Sequence, residues 1–173
     1  MQWPDNSFWD FSLQVYGGDG AAPICLSLQE RHAADINLLL YCAWAGALGH
    51  RIDAADLALA EAAVGRWNLE IVVVLRGLRS MLKTDWMGCA PETAEAIRAE
   101  IKSAELNAEH GEQIMLSGVL HKLRQQGSDD CRAAAAFNML FYLESLGKGL
   151  QKADTDGLQI IAGLAAKADA GSA

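Results

Sequence analysis

The sequence has few residues that interrupt helices and few that favour strands. It contains only three prolines in 173 residues, and proline is the residue that a helix interior tolerates least. Valine, isoleucine and threonine cluster once, at residues 71–74, and the apolar residues around that cluster keep a helical spacing. Alanine, leucine and glutamate dominate, and all three favour helices. The sequence therefore predicts an all-α protein.

The chain also lacks an excess of basic residues and a long apolar run. Lysine and arginine number 14 against 22 aspartates and glutamates, which gives a formal charge of −8. Nucleic-acid binding normally needs a concentrated basic surface, so it is not expected. The apolar run at residues 38–48 is far shorter than the roughly 20 residues that cross a bilayer. With no signal-peptide or lipidation pattern at the N-terminus, we expect no membrane partner and a cytoplasmic location.

Motifs that carry chemistry are missing as well. The four cysteines are far apart and form no C-x-x-C pair, as expected for thiols in a reducing compartment. No nucleophile, Walker or dinucleotide-binding motif occurs. His110 and His121 would lie about 16 Å apart on one helix, too far for a shared metal ion. We therefore predict no catalytic residue, no cofactor and no metal site, although enzymatic activity is unsupported rather than excluded.

One stretch organises the rest of the chain. Every residue from 38 to 48 is apolar or glycine, and a helix that is apolar on all sides is buried in the middle of a bundle. Asp35 is well placed to cap this helix, which we expect at about residues 35–49. Gly46 and Gly49 suit a close helix crossing and a helix end.

The remaining patterns predict an irregular bundle of seven or eight helices around that central helix. Residues 1–83 form an N-terminal helical core, and residues 84–173 form a C-terminal helical extension packed on it, within one structural unit. At Asn68 the chain bends or a new helix starts, with Asn68 as its cap. A thin apolar stripe predicts a long exposed helix over residues 92–112 that can continue to Leu123.

Four separated blocks of the sequence resemble a known family. They read W-x-F-x-L-x-x-Y from Trp9, C-L-x-L-Q from Cys25, D-x-N-L-L-L from Asp35, and then Trp44. Together they are similar to a proteobacterial family of short helical proteins catalogued as a domain of unknown function. The resemblance covers residues 8–120, and it implies a small, helical, cytoplasmic bacterial protein. It carries no catalytic residue, cofactor or ligand over to this chain.

Two groups of polar residues are candidate binding sites. One lies at the start of the central helix, where polar side chains can line a pocket or simply tie down the turn. The other is a basic strip on a later helix, which can bind an anion or RNA, or form ordinary surface ion pairs. An acidic strip at Glu105, Glu109 and Glu112 is interpreted as solvated. The candidate ligand-binding residues are Gln29, Arg31, His32, Asp35, Asn37, Arg76 and Arg79.

The missing catalytic motifs favour a non-catalytic interaction or accessory protein, with an unknown protein partner or a homo-oligomer. Phe137, Phe141 and Leu146 are the candidate partner interface, because large apolar patches seldom stay exposed. The alternative is a small-ligand-binding protein or an enzyme. It requires Arg76 and Arg79 to fold back over residues 29–37 and close a polar pocket.

Overall fold

The computed structural model describes residues 3–84, 86–120, 122, 128–168 and 170. These residues form an irregular bundle of α-helices and contain no strand, which confirms the predicted all-α fold. A π-helical turn joins the fourth and fifth helices into one continuous rod. The elements are α1 (Ser7–Tyr16), α2 (Ala21–His32), α3 (Ile36–Ala47), α4 (Ala54–Trp67), the π-turn (Asn68–Val72), α5 (Val73–Thr84), α6 (Pro91–Leu120), α7 (Cys131–Ser145) and α8 (Lys152–Ala165).

Helix α3 is the centre of the bundle, as the apolar run predicts. All residues from Asn37 to Gly46 are buried, because α1, α6, α7 and α8 all pack around it. Asp35 caps the helix by accepting hydrogen bonds from the backbone N–H groups of Asn37 (2.9 Å) and Leu38 (3.3 Å). The predicted location, burial and capping of this helix are therefore confirmed.

The closest helix crossing in the core depends on Gly46. A Cβ atom placed on Gly46 would lie 2.2 Å from the backbone N and 2.3 Å from the Cα of Ala135 on α7. Distances that short are impossible for real atoms, so only glycine allows α3 and α7 to approach this closely. Gly49 then ends the segment with a φ of +81°, a conformation that glycine adopts without steric cost.

The prediction for Asn68 was wrong in part. The chain does not restart there, since α4 continues through the π-turn directly into α5. Asn68 is not the N-cap of a new helix, and its side-chain amide instead donates to Glu112 on α6 at 3.2 Å. A π-turn inserts one residue into a helix, and this insertion was not visible in the apolar pattern.

Helices α6, α7 and α8 come from the predicted C-terminal extension, and all three pack against α3. Phe137, Phe141 and Leu146 are half-buried. The rings of Phe137 and Phe141 stack with their centroids 6.1 Å apart, and the Arg51 guanidinium lies 3.7 Å above the Phe137 ring. Leu123, where we expected α6 to be able to continue, lies outside the described residues. None of the helices described is both long and apolar enough to span a membrane.

Candidate functional site

A cavity of about 370 Å³ lies between α1, α2, α3, α5 and α6. That volume lies within the range of small-molecule sites in proteins. Four of the predicted ligand-binding residues meet there, namely Gln29, Asn37, Arg76 and Arg79. The full lining is Trp9, Ser12, Leu13, Tyr16, Leu26, Gln29, Ile36, Asn37, Leu40, Arg76, Arg79, Lys102, Glu105, Leu106, Glu109 and Gln113.

The two arginines reach the cavity because α5 and α6 pack against each other. Arg76 donates from Nε to Glu105 (3.0 Å) and from Nη2 to Glu109 (2.7 Å). Arg79 donates to both carboxylate oxygens of Glu105, the bidentate arrangement that suits a guanidinium. Arg76 and Arg79 therefore form one network of ion pairs with Glu105 and Glu109 of the acidic strip.

The interpretation of the acidic strip as solvated was wrong. Glu105 and Glu112 are buried, and Glu109 is half-buried. Burial by itself would raise the pKa of Glu105, but hydrogen bonds from Arg79 and Arg76 outweigh it and hold that pKa below its usual value. Burial raises the pKa of Glu109, and the opposing effect of Arg76 does not cancel the shift. The pKa values of the two carboxyl groups thus shift in opposite directions, and Glu105 has two arginine partners whereas Glu109 has one.

A chain of side-chain amides connects the cavity to the interior. Gln113 donates from Nε2 to Asn37 Oδ1 (2.8 Å), and Asn37 donates from Nδ2 to Glu112 Oε2 (2.7 Å). The other oxygen of Glu112 accepts from Asn68 on the π-turn. Buried polar groups need such partners, so this chain fixes the orientation of each amide.

The buried end of this chain is a pair of carboxyl groups. The pKa of Glu112 is raised to about 9. Burial is the largest cause, and the charge of Asp35 and a hydrogen bond to Asp35 add to it. Hydrogen bonds from Asn37 and Asn68 lower the pKa by a smaller amount. Glu112 therefore holds a proton at neutral pH.

Two buried polar atoms at the cavity have no hydrogen-bond partner among the described residues. They are the hydroxyl oxygen of Ser12 and the Oε1 atom of Gln113. Both residues line the cavity, and their exposed fractions are 4% and 3%. An unpaired buried polar group costs about 1–3 kcal/mol. A ligand that pairs with these two atoms would recover that free energy.

Apolar side chains form the rest of the wall, and several reach the surface. Leu13, Leu26 and Leu106 line the cavity and are each about half exposed. Trp9 also lines it, and its ring stacks on His110 with the centroids 4.2 Å apart. The cavity is thus open between apolar rims and ends on polar groups, an arrangement that suits an amphipathic molecule.

Three predicted site residues lie outside the cavity lining. Arg31 and His32 both contact Asp154 on α8, and the distance from His32 Nε2 to Asp154 Oδ2 is 3.1 Å. Burial alone would raise the pKa of Asp154, but the Gln151 N–H, His32 and Arg31 together hold it below its usual value. Asp35 caps α3, and its backbone N–H donates to Tyr142. These three residues connect helices.

The structure places no cluster of metal ligands in the part of the chain that it describes. His110 lies between Trp3 and Trp9, and burial lowers its pKa. His121 lies outside the described residues.

Several residues of the site carry no signal in the sequence. Ser12 and Gln113 are common polar residues within amphipathic helices, where solvent exposure is the usual expectation. Glu112 belongs to a strip of glutamates that looks like an ordinary solvated surface. Trp9 was identified only as the first residue of a block that resembles the family, and its position beside the cavity depends on how α1 packs on α6. Only the distant pairing of helices brings these side chains together.

Comparison with known protein families identifies a match over most of the chain. A family model described as "Protein of unknown function (DUF2390)" matches residues 7–116. No curated protein and no solved structure matches the chain. All residues that line the cavity fall between Trp9 and Gln113, within the matched segment, whereas α7 and α8 lie beyond it.

Proposed function

Because the chain belongs to this family of proteins of unknown function, its role has to be inferred from the site, and we propose that the protein binds a small amphipathic molecule. The ligand occupies the cavity between α1, α2, α3, α5 and α6. Leu13, Leu26 and Leu106 contact its apolar part, and Gln113 and Ser12 bind a polar group. Arg76 and Arg79, held by Glu105, shape the polar side of the cavity.

One observation carries this proposal. The cavity combines apolar side chains with two buried polar atoms, Ser12 Oγ and Gln113 Oε1, that lack a hydrogen-bond partner among the described residues. In a site that served only to hold the fold together, selection for stability would favour pairing these atoms or replacing them with apolar groups. Ligand sites instead typically combine an apolar lining with a few polar groups that orient the ligand.

We propose binding rather than catalysis. In the described part of the chain no base lies within hydrogen-bonding distance of Ser12, and a serine hydroxyl needs such a base to act as a nucleophile. Burial raises the pKa of the neighbouring Cys25 thiol to about 12, so this cysteine stays protonated and unreactive at neutral pH. The arginines are paired with glutamates, which does not support a role in binding RNA.

The proposal is tested with a cavity-blocking variant. Leu106 lines the cavity and is 51% exposed, so Leu106→Trp adds bulk at the opening without disturbing the core. Leu59→Trp on α4 is the matched control, because Leu59 is similarly exposed at 48% and does not line the cavity. Binding of a panel of small amphiphiles is followed by ligand-observed NMR.

We expect some of the panel to bind the wild-type protein and Leu59→Trp, and to lose most of their affinity for Leu106→Trp. Two results would reject the proposal. One is that no amphiphile binds the wild-type protein, and the other is that the ligands bind Leu106→Trp as well as they bind the control.

A second candidate function is protein–protein interaction, and the surface of α5 favours it. No residue of α5 is buried. An exposed apolar stripe runs from the π-turn along α5, and we define it as Ile71, Val74, Leu78 and Met81. This spacing of three and four residues is the pattern by which one helix packs on another.

A second copy of the chain offers such a helix, so self-association through α5 is the form of interaction that we propose. By comparison, the predicted face of Phe137, Phe141 and Leu146 is only half-exposed.

Sedimentation equilibrium over a range of protein concentrations tests this second function. If the α5 stripe mediates self-association, Leu78→Glu lowers the association constant by at least about tenfold, because a charge is buried at the interface. Leu59→Glu on α4 leaves it unchanged. A protein that stays monomeric at all concentrations, or that associates equally well with Leu78→Glu, contradicts this function.

We propose that the protein acts in the cytoplasm. All four cysteines are free thiols, and Cys42 is completely buried in α3. Free thiols of this kind are typical of proteins in a reducing compartment. An epitope-tagged chain in fractionated bacterial cells would test this location, and recovery in the periplasmic fraction would contradict it.

A further inference from the structure

The polar groups of the cavity follow one side of α6 in a fixed order. Lys102, Glu105, Glu109 and Gln113 lie at positions i, i+3, i+7 and i+11 of that helix. From Lys102 to Gln113 this stripe is about 16 Å long, given a rise of 1.5 Å per residue. The two ends of the cavity therefore present different groups to a ligand, separated by the length of an extended chain.

The Gln113 end presents a hydrogen-bond acceptor. Asn37 directs its amide N–H toward one oxygen of Glu112, and the other oxygen of Glu112 accepts from Asn68. Asn37 therefore offers its oxygen to Gln113 Nε2. This leaves Gln113 Oε1 as the unpaired atom. A carbonyl oxygen only accepts hydrogen bonds, so the group that pairs with it must donate one.

The Lys102 end presents a positive charge. Three cations and two carboxylates line the cavity. Arg76 and Arg79 are paired with Glu105 and Glu109. Lys102 is exposed and makes no ion pair with any carboxylate in the described part of the chain. One positive charge at the rim is thus left for a ligand anion.

On the basis of the proposed function, we infer that the ligand is an extended amphipathic acid with a carboxylate at one end, an apolar body and a hydrogen-bond donor at the other end. The carboxylate binds Lys102 at the rim. The body lies against Leu13, Leu26 and Leu106. The donor, a hydroxyl or an amide N–H, binds Gln113 Oε1.

Three probes that differ at one end each test this inference. They are ω-hydroxydecanoate, which has both end groups, decanoate, which lacks the donor, and decanediol, which lacks the charge. Isothermal titration calorimetry with the wild-type protein, below the micelle concentration, gives the three affinities without any variant. We expect ω-hydroxydecanoate to bind about three- to tenfold more tightly than decanoate, as one hydrogen bond allows. It should bind about two- to fivefold more tightly than decanediol, as one exposed ion pair allows.

Variants then assign each preference to a residue. Lys102→Gln should abolish the preference for ω-hydroxydecanoate over decanediol, whereas the control Lys83→Gln, at an exposed lysine of α5 outside the cavity, should retain it. Gln113→Met should abolish the preference for ω-hydroxydecanoate over decanoate, with decanoate still bound. If Gln113→Met fails to fold, Ser12→Ala serves as the milder change at the same end, and it should weaken the same preference.

Equal affinities for the three probes, or a preference for decanediol, would overturn the inference. The inference is also overturned if Lys83→Gln reduces the preference for ω-hydroxydecanoate over decanediol as much as Lys102→Gln does. If none of the three binds while other amphiphiles bind and are blocked by Leu106→Trp, the ligand class is wrong and the proposed function stands. If no amphiphile binds at all, both are wrong.

Discussion

Asn37, in the first turn of the central helix, donates a hydrogen bond of 2.7 Å to Glu112, a carboxyl group with no exposed surface. This contact joins α3 to α6 in the middle of the bundle. It also determines which atom of Gln113 remains unpaired at the cavity. A single buried interaction therefore links the stability of the fold to the chemistry of the candidate site.

Glu112 should make the stability of the protein depend on pH. Its pKa is raised from the ordinary 4.5 to about 9 in the native state, chiefly by burial. Between these values the native protein holds a proton that the unfolded chain releases, so stability falls as pH rises. The slope from this one group is at most about 1.4 kcal/mol per pH unit. Urea unfolding of the wild-type protein and Glu112→Gln from pH 5 to pH 9 measures it.

In Glu112→Gln this source of pH dependence is absent, so the stability of the variant relative to wild type should rise as pH increases. Glu70→Gln is the control, because Glu70 is exposed in its pair with Arg66. Parallel pH profiles for the wild-type protein and Glu112→Gln would contradict the prediction.

Gly46→Ala should strongly destabilise the protein. The new methyl group would overlap the backbone of Ala135, and α3 and α7 would have to move apart within a closely packed core. Overpacking of this kind typically costs about 1–3 kcal/mol, and contact with backbone places the expected cost at the upper end. Thermal and urea unfolding give the change in free energy.

The control for this prediction is Gly65→Ala in α4, where a Cβ would meet no atom within 4 Å. Alanine is the better helix former, so this change should stabilise the protein by about 0.5–1 kcal/mol. Similar effects of the two substitutions would show that the α3–α7 crossing tolerates a side chain.

Arg79 and Glu105 should be energetically coupled. Glu105 is buried and accepts from both nitrogens of a bidentate contact. A double-mutant cycle with Arg79→Ala and Glu105→Ala should give a coupling free energy of about 1–2 kcal/mol. Glu105→Ala should cost more than Arg79→Ala, because it leaves two arginines without their shared partner.

The exposed pair of Arg66 and Glu70 provides the comparison for this cycle. Its partners are 86% and 57% exposed, and such a pair contributes about 0.3–0.5 kcal/mol. Equal coupling in the two cycles would mean that the contact between α5 and α6 is only a surface ion pair.

Asp154 should stabilise the protein at neutral pH through its contacts with Arg31 and His32. Asp154→Asn retains an oxygen that can accept from the Gln151 N–H but removes the charge, and we expect a cost of about 3 kcal/mol. The pKa of Asp154 is lowered in the native state. Its contribution to the free energy of unfolding is therefore complete above the pKa that Asp154 has in the unfolded chain, and it is lost as pH falls through the pKa in the native state.

Urea unfolding at several pH values checks this prediction. The difference in free energy of unfolding between the wild-type protein and Asp154→Asn should be largest near pH 7. It should become smaller below about pH 4, the ordinary pKa range of an aspartate. A difference that stays constant down to pH 3 would rule out the charge as its cause.

The central helix and its cap could be predicted because their signals are local. An uninterrupted apolar run and an aspartate before it determine burial and capping from neighbouring residues alone. The glycine at position 46 was likewise recognised as a site of close helix crossing. These features do not depend on which distant helix supplies the contact.

The cavity could be anticipated only in part. Gln29, Asn37, Arg76 and Arg79 were grouped from their polarity, yet Arg31 and His32 beside them turn toward α8. The pairing of Arg76 with Glu105 and Glu109 joins residues about 30 positions apart, and it depends on the register between two helices. Periodicity within one helix contains no information on that register, so both strips looked like solvated surfaces.

The π-turn between α4 and α5 lets the rod tolerate a change in chain length. Each residue of an α-helix advances the side-chain direction by about 100°, and a π-turn holds one extra residue within nearly the same rotation. Loss of one residue from Asn68–Val72 would therefore convert the rod to a regular helix and leave the direction of α5 nearly unchanged. One deleted codon in this turn would keep Arg76 and Arg79 at the cavity, whereas the same deletion in a regular helix would turn every later side chain away from its partners.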